Sequence, residues 1–176
     1  FGLLRHRITM TLNNDIVLSR LQEKFADGIL EAYINFDQLN IEIVPAFAAE
    51  ILRFLKEDEE MGFNYLTDLT AVHMPDQAGK EIGVVYHLHN LYANYRLRLK
   101  AWIPEANPVI STASSIWLGA NWMERETYDN FGVRFDGHPD LRRILNVDHM
   151  EIFPLLKQYP LEDSSRDDKD DRFFGR

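Results

Sequence analysis

The sequence predicts an α+β domain in which helices pack on one face of an antiparallel or mixed sheet. Two observations predict this fold: apolar residues recur at helical spacing in two early segments, and apolar and polar residues alternate in several later ones. We expect one domain to span residues 10–162 and a charged, irregular tail to span residues 163–176. The tail is either disordered or laid across a neighbouring chain, with Phe173 and Phe174 as its anchors.

Two amphipathic helices are predicted in the first third of the chain. The first begins after a capping signal at Asn13 and ends at Gly28, and the second begins at Pro45 and ends at Gly62. Each carries apolar residues on one side, as a helix that packs on a core requires. These residues are Ile16, Val17, Leu21 and Phe25 in the first helix, and Phe47, Ile51, Phe54 and Leu55 in the second.

The strands are predicted from alternation. Residues 29–44 alternate on either side of Asp37–Gln38, as a hairpin does. Three further strands are predicted at 64–73, 82–90 and 95–103. The last of these has the clearest pattern, with one apolar and one mainly basic face. The apolar face is Tyr95, Leu97, Leu99, Ala101 and Ile103, and the other is Arg96, Arg98, Lys100 and Trp102.

Composition excludes several classes of function. A net charge of −9 and a pI near 5.1, without a dense Lys/Arg tract, would repel a phosphate backbone, so a nucleic-acid ligand is not expected. The absence of cysteine excludes disulfides and cysteine-held zinc or iron–sulfur clusters in this chain. The apolar runs are too short for a membrane helix, and no signal-peptide pattern is present. We expect residues 1–9, before Met10, to be upstream or added sequence.

Two histidines are candidate metal ligands. His87 and His89 share one face of a predicted strand, and a hairpin register could place Asp68 opposite His87. Histidines on a half-exposed strand face are common, however, and we favour that interpretation. The sequence contains no Gly-rich phosphate loop and no nucleophile elbow. We therefore expect no cofactor, and an isolated chain that is colourless and binds neither metal nor flavin.

Three basic residues on the last predicted strand form a second candidate site. Arg96, Arg98 and Lys100, called the basic strip below, lie on one face of that strand in an otherwise acidic protein. The basic strip either docks an acidic partner surface or is the solvated face of an amphipathic strand.

The densest run of charged and aromatic residues is "NWMERETYDNFGVRFDGHPDLRRIL", residues 121–145, called the signature segment below. Its spacing predicts a helix over 121–131 that ends at Gly132, followed by an extended stretch and a turn at Asp136–Gly137. Asp140 is predicted to cap a short helix over 141–145.

Three interpretations of the signature segment compete. Glu124 or Glu126 with His138 could act as an acid–base pair, although no nucleophile or oxyanion hole accompanies them. The charges could instead form an internal salt-bridge network. A third possibility is a protein interface, because Arg, Trp, Tyr and Phe are the residues that anchor such surfaces. The residues alone favour the last two about equally.

The signature segment closely resembles that of the 30 kDa subunit, or C subunit, of respiratory complex I, the proton-translocating NADH:quinone oxidoreductase. The shared pattern is ERE-aromatic-D, then G-hydrophobic-x-F, then GHPDLRRIL. Three other stretches also resemble that family, so the resemblance covers roughly residues 15–162. These are "GFNYLTDLTAVH", "VVYHLHNLYANYRLRLKAWIP" and "YPLED".

This resemblance implies a peripheral-arm subunit without a prosthetic group, on the cytoplasmic side of a bacterial inner membrane or the matrix side of a mitochondrial one. Its implied partners are iron–sulfur subunits and chiefly the subunit that resembles the hydrogenase large subunit and helps to form the quinone site. The alternatives are the equivalent subunit of a related hydrogenase-type membrane complex, or a stand-alone acid–base enzyme using Glu126 and His138. The residues implied to form the assembly surface are Glu124, Arg125, Glu126, Asp129, Asp136, His138, Arg142 and Arg143.

One segment departs from the family pattern. Where the family typically reads Gly-His-Pro-Leu-Arg-Lys, this chain has Ile152-Phe153-Pro154-Leu155-Leu156-Lys157. The second histidine and an arginine of the pattern are replaced by Phe153 and Leu156. We therefore expect residues 152–157 to make contacts that differ from those of the family.

Overall fold

The structure is a computed structural model that describes residues 12–159. Five strands form one sheet: β1 (Ile29–Asn35), β2 (Gln38–Ile43), β3 (Tyr65–His73), β4 (Ile82–Asn90) and β5 (Tyr95–Ile103). Their order is β1-β2-β5-β4-β3, with β2 and β5 parallel and the other neighbours antiparallel. The predicted mixed sheet is confirmed. The predicted tail at 163–176 and residues 1–9 lie outside the described residues.

Three α-helices and a second, smaller sheet complete the described fold. The helices are α1 (Asn14–Lys24), α2 (Ala48–Glu57) and α3 (Ala120–Phe131). Two short strands, β6 (Val109–Ser111) and β7 (Arg134–Asp136), pair in parallel. Within residues 12–159, no helix is long and apolar enough to cross a membrane.

The core lies between the helices and one face of the large sheet. Its centre is the apolar face of β5, where Leu97, Leu99 and Ala101 are fully buried, as the alternation predicts. Val17 and Leu21 of α1 and the apolar side of α2 pack in the same cluster. The predicted capping of α1 is confirmed, because the Asn13 side chain accepts a hydrogen bond of 2.9 Å from the Ile16 N–H.

Several predicted boundaries are wrong by a few residues. Helix α1 ends at Lys24 rather than at Gly28, and α2 begins at Ala48 rather than at Pro45, because short 3-10 helices occupy Ala26–Gly28 and Pro45–Phe47. The first hairpin turns at Phe36–Asp37, where both residues have positive φ (49° and 58°), and Gln38 already belongs to β2. Helix α2 ends at Glu57 rather than near Gly62. Asp58 ends it, because its carboxylate accepts hydrogen bonds from the N–H groups of Glu60 and Met61, and the chain leaves the helix there.

One predicted element does not form. Residues 141–145 contain no helix, although Asp140 is suitable as a cap. Instead, the N–H groups of Ile144 and Leu145 donate to the carboxylate of Asp129 on α3. A contact across the fold therefore takes the amide groups that a helical turn at this place would use.

Candidate functional site

Helix α3 carries the first half of the signature segment and separates its charged residues into two sets. Glu124, Arg125 and Asp129 are buried, whereas Trp122 and Glu126 are exposed. The helix ends as predicted at Gly132, whose φ of +78° is left-handed and whose N–H donates to the Tyr128 carbonyl at 2.8 Å. The predicted helix and its glycine cap are confirmed.

Asp129 organises the loop that follows β7. One carboxylate oxygen accepts hydrogen bonds from three successive backbone N–H groups, those of Ile144, Leu145 and Asn146, at 3.1, 2.7 and 2.8 Å. Burial alone would raise the pKa of Asp129, but these bonds and the Arg143 guanidinium hold it well below its usual value. Asp129 is therefore a buried anion that determines the path of residues 143–146.

Arg143 is the counterpart of Asp129. Its guanidinium donates to the Asp129 carboxylate at 2.7 Å and to the Asp129 carbonyl at 3.0 Å. The other end of the fork donates to the carbonyls of Met150 and Ile152 at 2.5 and 3.0 Å. Its side chain is only 8% exposed. One arginine thus ties together α3, the loop after β7 and the chain beyond residue 149.

Glu124 is a second buried carboxylate on α3. Its two oxygens accept hydrogen bonds of 2.5 Å each, from the Thr112 hydroxyl and from the Ala113 N–H after β6. Burial raises the pKa of Glu124 to about 7, against these two bonds, which lower it. Glu124 therefore joins α3 to the small sheet and titrates near neutral pH.

His138 faces Glu124 from the turn after β7. The His138 Nε2 lies 3.9 Å from a Glu124 carboxylate oxygen and 3.2 Å from the Asn121 carbonyl. Its Nδ1 accepts a hydrogen bond from the Asp140 N–H at 3.0 Å, so the proton of the neutral ring lies on Nε2 and points towards those oxygens. The acid–base partner of His138 in this structure is therefore Glu124 and not Glu126.

Arg125 connects the interior of the signature segment to its surface. Its guanidinium donates to the carbonyls of Arg142 and Arg143 at 3.2 Å each. The Trp122 ring lies over the same guanidinium, 5.1 Å from its centre, and remains 61% exposed. Arg125 thus holds an exposed tryptophan in place beside the 142–143 loop.

The remaining predicted residues lie at the surface. Glu126 and Asp136 are exposed, and Arg142 pairs with Asp140 at 2.9 Å through side chains that are 70% and 58% exposed. Several large apolar side chains of this region also face solvent: Leu118 (90%), Trp122 (61%), Leu145 (68%) and Val147 (53%). We call these four exposed side chains the apolar patch, a name that refers to their exposure.

Phe153 packs against the C-terminal end of α3. Sequence patterns did not identify it as a contact of the signature segment. Its ring packs edge-on against Tyr128 at 6.0 Å, and the Arg143 guanidinium lies 5.1 Å from its centre. A Cβ built on Gly132 would come within 2.8 Å of the Phe153 ring. Gly132 is thus required for two reasons, its left-handed backbone and the closeness of Phe153.

Replacing Gly132 by alanine is expected to lower the free energy of unfolding by about 2–3 kcal/mol, because a non-glycine residue at this φ is strained and its Cβ would displace Phe153. Urea unfolding of the full chain measures this change. Gly119→Ala is the matched control, since Gly119 has a helical φ of −64° and open space around its Cβ. Equal unfolding midpoints for the two variants would contradict the expectation.

The histidine pair on β4 was the candidate metal site. The predicted register is confirmed, because Asp68 lies opposite His87. His89, however, contacts the Asn94 side chain at 3.2 Å. Within residues 12–159, no three His, Cys, Asp or Glu side chains are arranged to hold a metal ion. A histidine that drew no attention in the sequence, His73, is buried and joins Glu105 to the Lys157 N–H.

Two surface depressions lie elsewhere on the described fold. One, of about 370 Å³, is lined by the turns at 36–38 and 94–96, and the other, of about 290 Å³, lies beside Trp117 and Leu118. Glu124, Glu126 and His138 line neither of them. The buried Glu124–His138 pair therefore has no access to a substrate through either depression.

Comparison with known proteins assigns the chain to the class of respiratory oxidoreductase subunits. The profile of the family described as "Respiratory-chain NADH dehydrogenase, 30 Kd subunit" matches residues 41–165, which include the whole signature segment. The chain belongs to this family, whose members are also named as the C subunit of NADH-quinone oxidoreductase. The resemblance seen in the signature segment is confirmed.

Several named relatives and solved structures support this membership. The C subunit of NADH-quinone oxidoreductase from Geobacter sulfurreducens is 42% identical over 90% of this chain and 96% of its own length. The protein of the same name from Ruegeria pomeroyi is 39% identical over 81% of this chain and 70% of its own. The trypsin-resistant fragment of Nqo5 superposes with a TM-score of 0.61 at 32% identity, covering 71% of this chain and 99% of the fragment. A chain of the membrane-bound sulfane sulfur reductase, an archaeal respiratory membrane complex, gives a TM-score of 0.70 at 26% identity, covering 84% and 85%.

Proposed function

We propose that this chain is a peripheral-arm subunit without a prosthetic group or active site of its own, which supports assembly of an NADH:quinone oxidoreductase and of its quinone-site module. The observation that carries the proposal is that several charged residues of the signature segment are buried, while large apolar side chains in and next to it are exposed. The buried charges bind the chain's own backbone, whereas the apolar patch, Glu126 and Arg142 are exposed.

The buried charged residues and the exposed side chains have different roles in this proposal. Glu124, Asp129 and Arg143 each have hydrogen-bond partners within the fold, so they shape the surface without needing a partner protein. Trp122 and Leu118 are large side chains that a folded monomer leaves in water at a cost, and a protein interface would remove that cost. Glu126, Asp136 and Arg142 supply a polar rim around such a contact.

The proposed partner is the subunit that resembles the hydrogenase large subunit and helps to form the quinone site, together with the iron–sulfur subunits. The relatives named as the C subunit of NADH-quinone oxidoreductase support this setting. We place the chain, as a peripheral protein, on the cytoplasmic side of a bacterial inner membrane, or on the matrix side in a mitochondrion. The proposed partner subunits and the proposed side of the membrane both rest on family membership.

A related complex is the second candidate. The observation that favours it is the TM-score of 0.70 with a chain of the archaeal sulfane sulfur reductase complex. In that case the same surface would serve a related respiratory membrane complex that is not an NADH:quinone oxidoreductase. The stand-alone enzyme that uses Glu126 with His138 is not supported by the geometry, because Glu126 lies about 200° around α3 from Glu124, the residue that His138 faces.

The test is the combined change Trp122→Ala and Glu126→Ala in the native complex. Truncation of a central interface tryptophan typically weakens binding by more than about 2 kcal/mol, so we expect the amount of assembled complex to fall severalfold when the subunit is limiting. Quinone reductase activity per assembled complex should change little. Native gels quantify assembly, and activity is normalised to the band of the intact complex.

The control is Leu30→Ala, which truncates another exposed leucine, 53% accessible, on β1 and far from α3 in the sheet order. It should leave assembly unchanged. Full assembly of the Trp122/Glu126 variant with activity reduced several hundredfold would mean that this surface takes part in the chemistry. The assembly role would then have to be abandoned.

A further inference from the structure

The face of the sheet opposite the core carries the basic strip. Arg96, Arg98 and Lys100 alternate with the buried residues of β5, the central strand of the sheet. Arg96 is exposed, and Arg98 and Lys100 are half-buried. The proposed assembly surface on α3 does not use these residues.

Two residues of the basic strip are held in place by neutral partners, whereas Arg96 makes no side-chain hydrogen bond among residues 12–159. Arg98 donates to the Asn40 side-chain oxygen at 3.1 Å, and Lys100 donates to the Tyr33 hydroxyl at 2.6 Å. Within residues 12–159, no carboxylate lies within 4.0 Å of any of the three cations. In a chain with 28 acidic and 19 basic residues, Arg98 and Lys100 are therefore held by hydrogen bonds without an ion pair among the described residues, while Arg96 is exposed.

The positive charge of the basic strip affects a histidine on the neighbouring strand, β4. His87 lies opposite Arg98 across the β4–β5 pair. Burial lowers the pKa of His87, and the charges of Arg98 and Lys100 lower it further, whereas Asp68 raises it. The positive charges of Arg98 and Lys100 thus act on His87 of the neighbouring strand.

Acidic side chains limit this positive region on both sides. Glu31 and Glu42 face each other across β1 and β2, and Asp68 is exposed on β3. A broad anionic surface such as a lipid bilayer would meet these carboxylates as well as the cations. A narrow acidic ligand that follows β5 would lie closest to the cations, although Glu42 on β2 is the cross-strand neighbour of Lys100.

We propose that the basic strip docks an extended acidic segment of a neighbouring protein subunit. Alternate residues of a strand are about 6.8 Å apart, so carboxylates at alternate positions of an extended segment match the spacing of Arg96, Arg98 and Lys100. The guanidinium forks take carboxylates in bidentate pairs, and the hydrogen bonds that already hold Arg98 and Lys100 reduce the entropy lost on binding. The inference rests on the chain acting as a subunit but not on the use of the apolar patch.

Because this chain has no cysteine, a thiol introduced into it can be labelled site-specifically before the chain is assembled into the complex. Asp68→Cys introduces a single thiol on the same face, two strands from Arg98, where a photoreactive benzophenone maleimide can be attached. After irradiation, mass spectrometry identifies the cross-linked peptide. We expect a peptide of another subunit with Asp or Glu at alternate positions.

Charge reversal then tests the role of the basic strip. Arg96→Glu, which removes no hydrogen bond found among the described residues, and Arg98→Glu should each lower the cross-linking yield about tenfold. Lys80→Glu is the matched control, because Lys80 is an exposed cation on the loop between β3 and β4. It changes the net charge equally and should keep the yield. Raising the salt concentration should lower the yield of the unreversed chain.

Any cross-link to lipid, to residues 160–176 of the same chain, or to a segment without acidic residues would overturn the proposal. So would a yield that Arg96→Glu leaves unchanged. A yield that falls equally with Lys80→Glu would also overturn it, because the effect would then be one of net charge. The assembly role is tested independently, because native gels of the Trp122/Glu126 variant measure it. Loss of the cross-link in a fully assembled complex supports the docking site and leaves the assembly proposal intact.

Discussion

Replacing Arg143 by alanine is expected to lower the free energy of unfolding of the chain by about 3–5 kcal/mol. The change removes the 2.7 Å ion pair with Asp129 and the hydrogen bonds to the Met150 and Ile152 carbonyls. Asp129 is fully buried, so its charge would remain in the interior without its cation. Urea unfolding of the full chain measures the loss. In cells, a loss of this size should lower the amount of assembled complex, while activity per complex changes little.

Arg142→Ala is the matched control for this prediction. Arg142 is the preceding residue and also pairs with an aspartate, but both side chains of that pair are mostly exposed. Its removal should change the free energy of unfolding by less than about 1 kcal/mol. If both variants lost the same stability, the burial of the Arg143–Asp129 pair would not be the source of the effect.

The elements with a regular period were predictable from the sequence. Strand β5 was predicted with its observed bounds, because its strict alternation reflects one buried and one polar face. Helix α3 ends at Gly132 as expected, since a left-handed cap favours glycine. The register that places Asp68 opposite His87 follows from the positions of the two strands that the 74–81 loop connects. In each case a local rule agrees with the tertiary structure.

Other features depend on contacts across the fold and carry no local pattern. The predicted helix over 141–145 fails because Asp129, which lies before it in the sequence, binds the amides of Ile144 and Leu145. Strand β6 was not predicted because it is three residues long. Sequence patterns also do not tell whether an arginine is buried or at an interface. Arg143 and Arg142 are neighbours in the sequence, and only the structure separates the buried one from the exposed one.

The departure from the family pattern has a structural account. Phe153, at the place of a histidine in the pattern, packs against Tyr128 and Gly132 and beneath the Arg143 guanidinium. Leu156, at the place of an arginine, is buried in the core. Two apolar side chains therefore fill this corner from within the chain. The contacts of the signature segment with residues 152–156 are internal, which is consistent with the large effect expected for Arg143→Ala.

The free energy of unfolding of the chain is expected to fall by about 3 kcal/mol in total as the pH rises and Glu124 loses its proton. Glu124→Gln should remove this fall. The buried carboxyl has a pKa of about 7 in the folded chain, against 4.5 as its ordinary value. The folded state therefore binds its proton more tightly than the unfolded state. The stability that this group contributes is fully present below pH 4.5, decreases as the pH rises, and is lost above about pH 7. Urea unfolding at intervals from pH 5 to pH 8 should show wild type weakening relative to Glu124→Gln, while Glu126→Gln, an exposed carboxylate on the same helix, follows wild type.

The other groups that face Glu124 determine how this result is interpreted. Tyr86 is fully buried near it, and burial first and the Glu124 charge second raise the pKa of its hydroxyl, so Tyr86 does not titrate in this range. His138 is the ionisable neighbour of the Glu124 carboxylate, at 3.9 Å. A His138→Gln variant separates the two. If His138→Gln keeps the wild-type pH dependence and Glu124→Gln abolishes it, the buried carboxyl carries the proton. If the reverse is found, Glu124 is ionised throughout this range and the prediction fails.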